Sequence, residues 1–210
     1  MTLREEHRQL TRSKLVQAAR DVFAEKNYVL ATVDDIAERA RVGRATFYVH
    51  FESKEAVLME ILREDLQRQD ALFRRLAASP ELNEKVLSDW ISRHVKGFAN
   101  RRASVLLFNV TMGLNPDFIA IFDRKRDESC RILGETIPAF RFEEGDDSPE
   151  TAERRVEAHL LLFELSQASF HLVFPSWRID AAVAVRVLAR NFLAFIRRCE
   201  TAASGEAEPV

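Results

Sequence analysis

The chain has 210 residues, 47% apolar and 30% charged, with a formal net charge of −2; it can fill one large domain or two modest ones around a core, which excludes a disordered or fibrous chain. No apolar run approaches the ~20 residues of a membrane-spanning helix, and the opening MTLREEHRQL lacks a signal-peptide core, so a cytoplasmic chain with no membrane partner is expected. Cys130 and Cys199 stand far apart without CxxC spacing, which argues against a disulfide framework or a cysteine zinc site and leaves two reduced thiols.

Glycine and proline are scarce, six of each, and apolar residues recur at helical spacing, which predicts an all-α fold. Leu15, Ala18, Ala19, Val22 and Phe23 share one face of a first helix over about 5–26. A break over 27–31 leads to Thr32, which forms a capping-box pattern with Asp35 and opens a short second helix carrying Ile36, Ala37 and Ala40. Gly43 suits a turn or a tight helix start ahead of a third short helix, 44–50. Ser53 is an N-cap for a fourth helix with Val57, Leu58, Ile61 and Leu62 along it. After Ser79-Pro80 the spacing predicts one long helix over about 81–111, closed by Asn115-Pro116. Another covers about 117–137, up to Pro138, and the acidic stretch 141–150 reads as a loop. Ser148 and Pro149 supply an N-cap and a first helical proline for a helix that stops before Pro175. Asp180 caps the last helix, where Val185, Leu188, Phe192, Phe195 and Cys199 alternate steps of three and four, a lengthwise packing seam.

Two short helices joined by a tight turn and backed by a third form a helix-turn-helix, whose later helix enters the DNA major groove. Net charge gives no pointer to nucleic acid, since residues 1–62 hold as many basic as acidic side chains. The motif itself points there. Thr32-Val33-Asp34-Asp35-Ile36-Ala37 followed by Val42-Gly43-Arg44-Ala45-Thr46-Phe47-Tyr48-Val49-His50-Phe51-Glu52-Ser53-Lys54 resembles the DNA-binding signature of the TetR (tetracycline-repressor) family, and the resemblance covers about 11–62. Phe47 and Phe51 are expected to pack inward and turn Arg44, Ala45, Thr46, Tyr48 and His50 outward. Arg44 can fork onto guanine O6 and N7, Ala45 permits close approach, and Thr46 offers a hydroxyl or a methyl. Thr32, Tyr48, His50 and Lys54 suit flanking phosphates. Gly43 and Ala45 stand where relatives often carry serine and glycine; those departures bear on base preference, as does apolar Val49.

The resemblance implies a domain division of 1–52 for DNA binding and 53–202 for ligand binding and dimerisation, with 203–210 a disordered tail. It implies a homodimer formed through about 151–174 and 180–199, bound to a pseudo-palindromic operator on double-stranded DNA and released as a repressor by a small hydrophobic ligand. Trp90, His94, Phe98, Phe108, Met112, Phe163, Gln167 and Phe170 are the candidate pocket residues; aromatic stripes of this spacing also build plain cores. No cofactor is expected. An enzyme is disfavoured because no HExxH, phosphate loop or nucleophile elbow appears, and His159, Glu164 and His171 do not share one helix face as metal ligands would. The other alternative is a dimeric DNA-binding regulator with no small-molecule effector.

Overall fold

A computed structural model describes residues 2–102, 104–107, 116–143, 145–146, 148–174 and 179–204. Every regular element among them is helical: α1 (Leu3–Leu30), α2 (Val33–Arg39), α3 (Arg44–His50), α4 (Lys54–Ala77), α5 (Glu84–Asn100), α6 (Pro116–Gly134), a 3-10 turn (Pro138–Phe140), α7 (Pro149–Val173) and α8 (Ala181–Ser204). The expected all-α architecture is observed. Contacts divide the chain into two compact units, 1–67 with 101–118 and 68–100 with 119–210, so α4 contributes to both.

In the first unit α1 packs on α2 and α2 on α3. Leu15, Ala18, Ala19, Val22 and Phe23 are buried as their spacing requires, together with Ile36, Ala37, Phe47, Phe51, Val57, Leu58, Ile61 and Leu62. The break after the first helix is set by Asn27, at φ 57° and ψ 165°. Asparagine tolerates positive φ because its short amide bonds locally: Oδ1 accepts the Val29 and Leu30 N–H groups at 2.9 and 3.2 Å. Arg20 ties the unit together from α1, donating to Asp65 at 3.0 Å, Glu64 at 2.9 Å and the Ser104 hydroxyl at 3.0 Å. Arg101 donates to the Asp65 carbonyl at 2.6 Å.

These bonds explain a departure from the sequence reading. The expected continuous helix over 81–111 ends at Asn100, and Arg101 forms a turn. The helical residues 104–107 that follow belong to the first unit, whereas α5 belongs to the second. Periodicity registers helix on both sides of the turn and cannot register that the two stretches bury themselves in different cores.

In the second unit α5 packs against α7 and α8, and the 3-10 turn fits against the same pair. The core joins Leu87, Trp90 and Ile91 to Ile132, Leu133, Phe140, Leu162, Leu165, Phe192, Phe195 and Ile196. α6 stops at Gly134, earlier than the 137 expected, because the chain turns back on itself there. A Cβ at Gly134 would lie 2.6 Å from the Phe140 carbonyl oxygen, so the approach admits only glycine. The caps read from sequence are present: Ser148 accepts the Thr151 N–H at 3.4 Å, and Asp180 accepts from Ala182 and Val183 at 2.8 and 3.1 Å. Cys130 is buried, which pushes its thiol up to about 12, and neither it nor Cys199 is in a disulfide. No helix among the described residues is long and apolar enough to cross a membrane.

Candidate nucleic-acid interface

The start of α2 is held by its own side chains. Thr32 accepts the Asp35 N–H at 3.1 Å and the Asp35 carboxylate accepts the Thr32 N–H at 3.0 Å. Lys26 pairs with the same carboxylate at 2.6 Å, and the bonds from Lys26 and Thr32 draw the Asp35 pKa down to about 2. The turn into α3 closes through two backbone bonds, Val42 N–H to Ala37 O and Arg41 N–H to Glu38 O, both 3.0 Å. This pattern puts the residue between them in a left-handed conformation, a place usually taken by glycine, and here Arg41 occupies it at φ 57°. Gly43, expected at the turn or at a tight helix start, takes the second place: it is the N-cap of α3 at φ −74°, with open space where a Cβ would be.

Phe47 is fully buried and lies 5.9 Å, ring to ring, from Phe51. This anchor leaves the opposite side of α3 to solvent: Arg44, Ala45, Tyr48 and Val49 are exposed, Thr46 and His50 partly so. In the free protein the Arg44 guanidinium is bracketed, 2.7 Å from Asp34 on α2 and 5.7 Å from the Tyr48 ring centroid. At the far end of α3, Arg12 donates to the His50 carbonyl at 2.7 Å and lies 4.1 Å over the Phe51 ring. Partial burial, then the charges of Arg8 and Arg12, lower the pKa of His50 and so favour its neutral form.

Of the seven residues expected to meet DNA, Arg44, Ala45, Thr46, Tyr48 and His50 lie together on α3, and Thr32 is exposed at the start of α2. Lys54 is differently placed. Its ammonium donates to the Tyr28 and Ala31 carbonyls, both at 2.9 Å, and sits 4.5 Å over the Tyr28 ring, leaving one N–H for an outside partner. Sequence reasoning missed Asp34 as the partner of Arg44 and Arg12 as the clamp on the end of α3. Arginine at intervals of four along α1 was a signal available for the second; ion pairing across a turn has no comparable sequence mark.

The candidate pocket residues of the second unit fall into separate places. Trp90 donates its indole N–H to the Leu72 carbonyl at 3.0 Å and packs edge-on against Phe73 and Phe192. His94 is buried with Nε2 at 2.8 Å from the Gln69 amide nitrogen and Nδ1 at 3.0 Å from the Ser169 hydroxyl. An amide nitrogen only donates, so Nε2 accepts and Nδ1–H donates to Ser169; Phe98 packs on this imidazole at 4.9 Å. Phe163 and Gln167 instead line an open groove of about 820 Å³ between α7 and α8, while Phe170 stacks beside Phe174 at the end of α7. Phe108 and Met112 lie outside the described residues. His159 pairs with Asp127 and Glu164 with Asn191, and no group of three or more metal-ligating side chains occurs among the described residues.

Residues 15–61 match the family described as bacterial regulatory proteins, tetR family. The HTH-type transcriptional regulator UidR of Escherichia coli K12 is 28% identical over 142 residues, 68% of this chain and 71% of its own. The HTH-type transcriptional repressor DhaR of Mycobacterium sp. GP1 is 30% identical over 133 residues, 62% of this chain and 63% of its own. The regulator FadR of Bacillus subtilis, solved with stearoyl-CoA, shares the fold at a TM-score of 0.61 and 19% identity, over 85% of this chain and 95% of its own.

Proposed function

We propose that this chain, whose residues 15–61 match the tetR family, is a dimeric DNA-binding repressor of that family, reading a pseudo-palindromic operator through α3 and released by a mostly apolar small molecule. The observation that carries the DNA half of this reading is the exposed face of α3, held outward by fully buried Phe47. Arg44 and Ala45 meet base edges, with Thr46 beside them, while Thr32, Tyr48, His50 and the remaining N–H of Lys54 meet phosphates. In functional terms 1–52 reads DNA and 53–202 pairs subunits and senses the effector.

Dimerisation is supported by apolar side chains that a monomer leaves in water. Val156, Leu160 and Phe163 on α7 and Val183 and Val187 on α8 are all more than a third exposed, with Ile179 just ahead of α8. A second copy covers them when two α7–α8 pairs meet across a two-fold axis. Such a dimer presents two α3 helices to successive major grooves, roughly 34–36 Å apart.

The effector reading draws on the aromatic surroundings of His94, where Trp90 and Phe98 pack on a buried imidazole whose nitrogens bond Gln69 and Ser169. FadR, of the same fold, was solved with stearoyl-CoA, a long apolar acyl chain carried on a large, charged coenzyme A head. Binding would favour a form in which the two reading heads no longer match the operator, with α4, shared between both units, as the connecting lever.

A duplex recovered from a random pool provides the test. Arg44→Ala is expected to weaken binding to that duplex by about 1–3 kcal/mol and relax preference at one position, and Tyr48→Phe to weaken binding to all duplexes alike. Wild-type affinity in both variants contradicts the assignment. Thermal shift against apolar ligands, a long-chain acyl-CoA among them, tests the effector: a stabilising ligand that leaves operator affinity unchanged is not the inducer.

A further inference from the structure

Residues 2–10 form the beginning of α1, and every one of them is exposed; Leu3 and Leu10 are 76% and 55% exposed. A helical end with no packed face is marginal on its own, yet this one is fixed at its tip: Thr2 accepts the Glu5 N–H at 3.3 Å and the Glu5 carboxylate accepts the Thr2 N–H at 2.7 Å. The arm thus has an ordered start, and no packing against its own unit accounts for it.

Its basic residues are patterned. Arg4, Arg8 and Arg12 recur every four residues, so they run as one stripe along the helix, drifting about 40° per step. Thr11 borders this stripe on one side and Glu5 on the other. Glu6 falls on the opposite side, and Glu5 is folded back onto Thr2. The inner end of the stripe is anchored to the DNA-reading element, because Arg12 holds the His50 carbonyl at 2.7 Å and covers the Phe51 ring. Helical rise places Arg8 and Arg4 roughly 6 and 12 Å further out from that anchor. Arg8 is near enough to His50 for its charge to lower the imidazole pKa, which agrees with that placement.

We propose that the arm of α1 is a second DNA-binding surface, in which Arg4 and Arg8 bind backbone phosphates of the duplex flanking the base pairs read by α3. The inference rests on the DNA-reading role given to α3 and adds a phosphate-binding surface outside the helix-turn-helix. The occupant follows from charge and continuity. A row of guanidiniums leading away from a groove-reading helix is complementary to the phosphates leading away from that groove. Fixed helical spacing suits a repeating backbone, so the arm positions the protein on the duplex independently of sequence.

The test uses the full-length protein, the duplex recovered from a random pool, and versions of that duplex trimmed at both ends, across a salt series. Wild type is expected to lose affinity as the flanks are removed. The Arg4→Ala/Arg8→Ala variant, whose alanines favour helix and so keep the arm folded, is expected to ignore trimming. Its plot of log affinity against log salt falls less steeply, by about 0.9 for each phosphate that is no longer neutralised. Its preference for the selected duplex over scrambled DNA stays within about twofold of wild type, because phosphate binding carries no sequence information, and Arg4→Lys/Arg8→Lys restores most of the salt slope. An Ala variant with wild-type slope and wild-type sensitivity to trimming overturns the proposal. So does a variant whose preference for the selected duplex collapses, since the arm would then be reading bases. If wild type itself enriches no duplex, the role given to α3 falls first and the arm's role with it.

Discussion

In the proposed reading Arg44 is the residue on which specificity turns, with the Asp34 carboxylate beside it. In the free protein Asp34 holds one edge of the guanidinium at 2.7 Å, with both side chains largely in solvent. An exposed pair of this kind adds little to stability. In the proposed complex its effect falls on recognition, because the carboxylate restrains Arg44 and would repel a phosphate approaching α3. Asp34→Asn is therefore expected to strengthen binding to unrelated DNA severalfold while raising operator affinity less, narrowing the ratio between them. Fluorescence anisotropy on selected and scrambled duplexes measures both, and an unchanged ratio refutes this role. The residues of α3 were legible because buried Phe47 dictates which of its neighbours face out. Asp34 and the inward-turned ammonium of Lys54 were not, since both depend on where a different element places its oxygen atoms.

At the scale of elements, the caps and the short helices followed from local chemistry: Thr32 with Asp35, Ser148 with Pro149, and Asp180 each bond backbone groups within three residues. What local reading could not supply were features set by distant packing. Asn100 and Arg101 interrupt an otherwise continuous helical pattern because Arg101 reaches the Asp65 carbonyl in the other core. The left-handed residue of the α2–α3 turn is Arg41, with a glycine two positions later doing a different job. A non-glycine residue in that conformation costs roughly 1–2 kcal/mol. Arg41→Gly is accordingly expected to stabilise the protein by up to about 1 kcal/mol, read from a urea midpoint shift at constant slope. Gly134→Ala runs the other way. Its Cβ meets the Phe140 carbonyl at 2.6 Å, backbone against backbone, and the crowding is expected to cost about 1–3 kcal/mol. A Gly134→Ala protein as stable as wild type would mean that the turn between α6 and the 3-10 helix yields freely.

For the whole molecule, contacts divide the chain into two compact units, 1–67 with 101–118 and 68–100 with 119–210. The boundary drawn ahead of the fourth helix could not anticipate that residues 101–118 return to the first unit, joined there through Arg20, Asp65 and Ser104. The eight proposed ligand residues rest on helical spacing for Trp90, His94 and Phe98 and on residue type for the others, neither of which tells a core face from an outward one: Trp90 and His94 are interior, whereas Phe163 lines an open groove. That groove is where we place the second subunit. Leu160→Asp together with Val183→Asp is expected to yield a folded monomer without operator binding, measurable by sedimentation and anisotropy. A double variant that remains a dimer would move the interface elsewhere.

In the proposed complex a pair of α3 helices reads a two-fold-symmetric sequence. Selection of bound duplexes from a random pool, followed by affinity for the winner and for scrambled DNA at two salt concentrations, tests it most directly. The expected winner is pseudo-palindromic, with half-sites about one helical turn apart, and is bound roughly 10³-fold or more tightly than scrambled DNA. Enrichment of no sequence, with weak binding that disappears as salt rises, would leave only the electrostatic attraction and contradict the reading of Arg44 to His50 as a recognition helix.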